Sequence, residues 1–416
     1  MTSSVDFTNT FSNSDSDSAL PLMELTPLDQ PQAGIPQLTH TDLAPAIESL
    51  AASHGAFAVD TERASGFRYS NRAYLIQIKR ADGEIFLIDP VGIESELAPL
   101  AELMHDEWIL HDAAQDLPCL AELGLYPKKI FDTVMATLIL GFEHHSLQAI
   151  AADLLGISLA KEHAVADWSM RPIPPEMRAY AALDVELLHQ LAAVLRKMLQ
   201  DAGRYDWFVQ ECEAIRTRKP RPANPQPWRK YANRIELIDR RSLAMLQNMW
   251  QTRDTIARKL DLPPSKIIDP LLLAELARRK PRSQADVTRS PLLRKNSMQI
   301  SAADLWTAIH QAWRTAPADL PERFQQKKNP LHPPLKSWET HNPAAFLRWN
   351  ALREAILAHA ADLGILQEIL LKPKLQKRIA WEGWESAADL TEKLATWGAR
   401  PWQIEQCAPI ILRACS

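Results

Sequence analysis

Cysteine is scarce in this 416-residue chain: Cys119, Cys212, Cys407 and Cys415 are scattered, with no Cys-x-x-Cys pair. That spacing offers no disulfide framework, so the four read as small apolar residues in a reducing cytoplasm. No apolar run is long enough to span a bilayer, which excludes a helical membrane protein. The N-terminus is rich in Ser, Asp and Thr and lacks the basic and apolar regions of a secretory signal, so secretion is not expected. What is present is ordinary for a soluble globular protein, with 46% hydrophobic and 24% charged residues. The length calls for two or three domains.

The net charge of −4 conceals an asymmetry. Residues 216–300 hold 20 Lys/Arg against 7 Asp/Glu, a balance of +13, which leaves −17 for the remainder. Solvated surface charge explains such a split by default. Beside an acidic catalytic cluster, however, a basic segment would draw in a polyanion that the cluster repels.

Residues 1–35 read as a disordered leader, rich in Ser, Asp, Asn, Thr and Pro. Asp42 is placed to cap a helix over 43–52. Strand character follows at 56–59, 73–79 and 84–88, with Asp82-Gly83 as a hairpin signal between the last two, and again at 108–110. Helical spacing takes over at 113–123, 133–140, 147–155 and 175–201. Strands first and helices after predict a mixed α/β domain over 36–212. A basic, proline-rich linker is expected at 213–233. Beyond it the strand signals vanish and the chain repeats itself: 250–257 resembles 350–357, 267–274 resembles 369–376, and 283–287 resembles 386–390. The near-constant offset predicts two related helical domains, 234–316 and 338–416, joined by a linker at 317–337.

Four carboxylates in three separated segments carry the candidate chemistry. Asp60 and Glu62 stand two apart in a strand-like run, so alternation sends both to one sheet face, where they suit a hard divalent ion. Tyr180 and Asp184 stand four apart on one helix face. In His111-Asp112-Ala113-Ala114-Gln115-Asp116-Leu117, either Asp112 or Asp116 is available, and spacing alone does not choose between them. Each of these pairs by itself is better read as solvated or half-buried residues.

Together the segments resemble the tyrosine branch of the DEDD exonuclease superfamily, and within it ribonuclease D. The first motif runs from Asp60-Thr61-Glu62 through Tyr74-Leu75-Ile76-Gln77-Ile78 to Leu87-Ile88-Asp89-Pro90. The second is the His111–Leu117 segment, where the resemblance selects Asp116, followed by Phe131-Asp132-Thr133. The third includes Lys161-Glu162, Asp167-Trp168-Ser169-Met170-Arg171-Pro172 and Tyr180-Ala181-Ala182-Leu183-Asp184. Ala164-Val165-Ala166 departs from the polar residues that many relatives carry there. The helical repeats resemble tandem helicase-and-ribonuclease-D C-terminal (HRDC) domains.

The resemblance implies a ribonuclease-H-like domain with a mixed sheet, followed by two all-α domains. It implies a monomeric, cytoplasmic 3′–5′ exoribonuclease that releases nucleoside monophosphates from single-stranded RNA 3′ ends, tRNA precursors in first place. Two divalent ions, Mg²⁺ or Mn²⁺, would sit on Asp60, Glu62, Asp116 and Asp184, with Tyr180 orienting the attacking water. Asp132 reads as a structural cap. Weaker candidates for RNA contact are Lys161, Trp168 and Arg171, with Phe67 as a second stacking residue, and Arg278, Arg279, Lys280 and Arg282 in the first repeat. The rival readings are a DNA-editing 3′–5′ exonuclease with the same cage and a nucleic-acid-binding scaffold.

Overall fold

The computed structural model describes residues 25–160, 166–220, 222–294, 299–323 and 332–415. Eight strands occur among them: β1 (Thr26–Leu28), β2 (Leu38–Thr39), β3 (Phe57–Arg63), β4 (Ala73–Lys79), β5 (Ile85–Ile88), β6 (Glu107–Leu110), β7 (Lys129–Asp132) and β8 (Ile157–Leu159). Six form one mixed sheet in the order β2-β5-β4-β3-β6-β7. β3, β4 and β5 form an antiparallel meander, β2 pairs in parallel with β5, and β6 and β7 lie parallel to β3.

The meander follows from local chemistry. β3 to β5 carry branched and aromatic residues that suit a pleated, buried surface, and Phe57, Val59, Leu75, Ile76, Ile78 and Leu87 are fully buried. Each such side chain contributes roughly 1.5–3 kcal/mol of burial. Asp82, at the expected turn, accepts from the His54 backbone N–H at 2.7 Å. β3 is longer than the 56–59 run because Asp60 and Glu62 stay in register with Gln77 and Leu75 of β4. Both carboxylates therefore lie within the strand, and a register shift follows between Glu62 and Arg63.

Three boundaries differ from the sequence reading. The presumed leader is ordered at its end, since β1 pairs in parallel with β8; backbone pairing at 26–28 overrides the polar composition before it. The helix Tyr205–Arg216 runs through the expected start of the linker, because Cys212 and Ile215 on its apolar face are buried. The helix Arg229–Arg234 also falls inside the expected linker, with Trp228 and Ala232 packed into the first helical domain.

The two helical domains share one plan. Helices Arg240–Leu260, Pro264–Ile267, Pro270–Arg279 and Gln284–Thr288 are matched by Pro343–Asp362, Gln367–Leu370, Pro373–Glu382 and Ala387–Thr396. Their starts all shift by 103 residues: 240 to 343, 264 to 367, 270 to 373 and 284 to 387. The fourth helix of each set is capped alike, by Ser283 over Asp286 and by Ser386 over Asp389. A last helix closes each domain, Ala302–Arg314 and Pro401–Ala414. Much of the basic excess is spent internally: Arg241 donates to three carbonyls at the end of Ala302–Arg314, and the Arg253 guanidinium lies 3.8 Å from the Trp250 ring centre.

Candidate active site

Three structural elements converge on one acidic cleft. β3 delivers Asp60 and Glu62, the helix Ala113–Glu122 delivers Asp116, and the helix Pro175–Glu186 packs across β3, β4 and β5 to deliver Tyr180 and Asp184. The cleft has a volume of about 260 Å³, and its lining comes wholly from residues 60–184. Asp60, Glu62 and Asp184 each offer a carboxylate oxygen within 4.8 Å of the others. Asp116 lines the same cleft but stands outside that trio; it is almost fully buried and accepts from the Thr61 hydroxyl at 2.9 Å. Gln77, buried in β4, donates to Asp60 at 3.4 Å.

Asp132 fixes the second of these elements. Its carboxylate accepts from the backbone N–H groups of Asp112 and Ala113 at 3.1 Å and of Val134 at 3.0 Å, so one side chain holds the starts of two helices. It is the cap expected of it. Asp112 takes the left-handed conformation just before the helix Ala113–Glu122, with φ 66°, and so turns the chain into that helix.

Crowding acid groups in a partly dry cleft raises their proton affinity. Burial pushes Asp60, Glu62, Asp116 and Asp184 up, and mutual repulsion adds to it: Asp184 on Asp60, Asp60 on Glu62 and Asp116, and Asp116 on Asp184. Asp184 reaches about 7. Burial and the nearby carboxylates also push the Tyr180 phenol upward, so it stays neutral and serves as a hydrogen-bonding group. His111, also in the cleft, is lowered to about 4 by burial and is neutral at physiological pH. A hard, all-oxygen donor set holding excess negative charge fits Mg²⁺ or Mn²⁺ and needs neither Cys nor His.

The RNA-contact candidates divide. Trp168 is 1% exposed and packs near Tyr180, with ring centres 6.3 Å apart, so it belongs to the core and has no face for a base. Arg171 is likewise structural. Its five N–H donors are all engaged: two with Asp89 (2.5 and 2.7 Å) and three with the carbonyls of Tyr74, Trp168 and Met170. Phe67 remains exposed at 37%. In the first helical domain Arg279, Lys280 and Arg282 line a surface pocket of about 460 Å³, with Lys280 also 3.0 Å from Asp239. Arg278 pairs with Glu275 on the same helix. Lys161 and Glu162 lie outside the described residues.

Sequence reasoning missed Thr61, Arg63 and His111 as cleft residues. Thr61 and Arg63 lie inside the first motif, but alternation along β3 sends them to the face opposite Asp60 and Glu62, so spacing carried no signal for them.

The fold and cleft define a 3′–5′ exonuclease. Residues 37–200 match a family model described as 3'-5' exonuclease, 242–309 one described as HRDC domain, and 332–415 one described as 3' to 5' exonuclease C-terminal domain. The second helical domain is thus matched by a different description from the first, although its helices repeat the same order. The chain is 32% identical over 282 residues to a ribonuclease D of Bartonella henselae, covering 66% of this chain and 68% of that one. It is 31% identical to a protein from Bifidobacterium adolescentis of known structure, with a TM-score of 0.85 over 94% of this chain and 100% of that one. Escherichia coli RNase D shares the fold, with a TM-score of 0.65 at 22% identity, covering 91% of this chain and 98% of that one. The chain belongs to the ribonuclease D family and is a 3′–5′ exoribonuclease.

Proposed function

We propose that the chain shortens RNA from a single-stranded 3′ end by two-metal-ion phosphodiester hydrolysis, with Asp60, Glu62, Asp116 and Asp184 as the metal ligands. The observation that carries this reading is the trio of carboxylate oxygens within 4.8 Å of one another. Bound there, two divalent ions would supply an acidified water and neutralise the charge that builds on the phosphate. The water oxygen forms the new bond to phosphorus, and the bond from phosphorus to the 3′ oxygen breaks. That oxygen leaves protonated on the shortened RNA, and a nucleoside 5′-monophosphate is released. Tyr180, neutral and within the cleft, orients the attacking water by hydrogen bonding. Thr61 fixes Asp116, and Gln77 fixes Asp60.

The proposed substrate is a structured RNA with a free 3′ tail, tRNA precursors in first place, processed in the cytoplasm. Support comes from the Escherichia coli relative, described as an exoribonuclease involved in structured RNA processing. The protein is proposed to act as a monomer. Arg279, Lys280 and Arg282 hold the RNA backbone. The test is degradation of matched single-stranded RNA and DNA in Mg²⁺ or Mn²⁺. Stepwise mononucleotide release from RNA, stopped by chelator and by Asp60→Ala, is the expected result. Faster loss from DNA would assign the cleft to DNA.

A further inference from the structure

The cleft that collects four carboxylates contains, among the described residues, a single Lys or Arg side chain in its lining, Arg63. It is the last residue of β3, directly after Glu62, and 27% of its side chain is exposed. One terminal nitrogen donates to the Gln115 carbonyl at 2.8 Å and the other to the Gln115 side chain at 3.3 Å; the latter nitrogen lies 4.0 Å from Asp116. Gln115 is itself held by Asp112, so the guanidinium is fixed at its rim by a two-step tether. A guanidinium has five N–H donors, and this tether engages two.

We infer that Arg63 is a substrate-binding residue that grips the phosphoryl group of the 3′-terminal nucleotide, which is the 5′-phosphate of the released product. This rests on the exonuclease reading of the cleft. The argument is one of charge and shape. A polyanion entering a nest of carboxylates is repelled except where a cation meets it, and His111 is neutral there. A planar, permanently charged fork matches a phosphate better than any other side chain does. Arg63 also steadies Asp60, Glu62 and Asp116 electrostatically, which is a separate effect.

The experiment compares the wild type with Arg63→Gln and Arg63→Lys across a Mg²⁺ titration carried to saturation. It reads KM and kcat on single-stranded RNA, inhibition by adenosine 5′-monophosphate, and calorimetric binding of that nucleotide. Loss of a charge-assisted contact should raise KM, the inhibition constant and the nucleotide Kd of Arg63→Gln together, by about tenfold. Arg63→Lys, which keeps the charge but lacks the fork to Gln115, should recover to within about threefold of the wild type. The inference is overturned if Arg63→Gln loses only kcat, which would mark a tether for Asp116. It is also overturned if KM and nucleotide binding hold while less Mg²⁺ is needed, which would mark Arg63 as a counter-charge for the carboxylates. Equal impairment of both variants would overturn it as well. A wild type indifferent to chelator would instead remove the metal-dependent reading of the cleft on which the inference stands.

Discussion

The first helical domain meets the catalytic domain through hydrogen-bonding groups, whereas the second shares a hydrophobic core with it. Trp228, Met249, Leu273 and their neighbours form a core of their own, to which, among the described residues, the catalytic domain contributes only Tyr69 at its edge. The hydrogen bonds that cross, among the described residues, run through Arg68 and Tyr69. The Tyr69 hydroxyl donates to Asp254 at 2.9 Å and accepts from Arg258 at 3.0 Å, its backbone N–H reaches Asp261 at 3.3 Å, and Arg68 reaches Asp261 at 3.4 Å. On the other side Trp402 is fully buried, stacks on Trp207 with ring centres 4.7 Å apart, and donates to Glu211 at 3.0 Å. Gly141 comes so close to the Gly364 carbonyl that a Cβ would sit 1.8 Å from it.

The repeats share a helix plan, so the difference lies in a few surface residues. With the last helices aligned at their first residues, Ala302 and Pro401, Trp402 corresponds to Ala303, which is exposed. One scaffold thus joins the catalytic domain through a shared core where a tryptophan stands and through hydrogen bonds where an alanine does.

The largest effect should come from Trp402→Ala. Emptying that site should cost about 3–5 kcal/mol and lower the denaturation midpoint of the catalytic domain along with that of the second helical domain. Separate unfolding of the two, with the catalytic midpoint unchanged, would deny them a common core. Tyr69→Phe should cost only about 1 kcal/mol. It should nevertheless loosen the first helical domain, and rising salt should loosen it further by screening the exposed pairs. Small-angle scattering would read this as a growing radius of gyration, and a salt-independent radius would contradict it.

A pH-dependent effect is expected in the cleft. The four raised carboxyls hold protons in the folded, metal-free protein that the unfolded chain has already released. Their contribution to stability is full below about pH 4 and is lost as pH rises, for Asp184 through about 7. The metal-free melting temperature should therefore fall between pH 5 and 8, by about 2–4 °C for each ~1 kcal/mol lost. Saturating Mg²⁺ should flatten that slope, and Asp184→Asn should reduce it. A melting temperature that rises with pH in this window would refute the electrostatic account of the cleft.

The sheet meander and the two carboxylate-bearing pairs were legible from local spacing, whereas Asp116 and the joining of the three segments came from the family resemblance. Alternation put Asp60 with Glu62, helical pitch put Tyr180 with Asp184, and Asp82-Gly83 marked the hairpin. The four-residue β7 escaped notice because it lies between stretches of helical spacing, and β1 because pairing with residues 157–159 was not visible from polar composition. Trp168 and Arg171 were misassigned for a related reason: sequence displays a side chain's chemistry but not its burial or the acceptors it has already taken. The Tyr69 contacts join residues more than 180 positions apart, beyond the reach of any spacing argument.

The central claim, that Asp60, Glu62, Asp116 and Asp184 form a divalent-cation cage, is tested most directly by calorimetric titration of Mn²⁺ into the wild type and Asp184→Asn at pH 7.5. The account predicts binding with proton release in the wild type and at least roughly tenfold weaker binding in a variant that remains folded. Equal affinity in the two proteins, or binding without proton release, would contradict it.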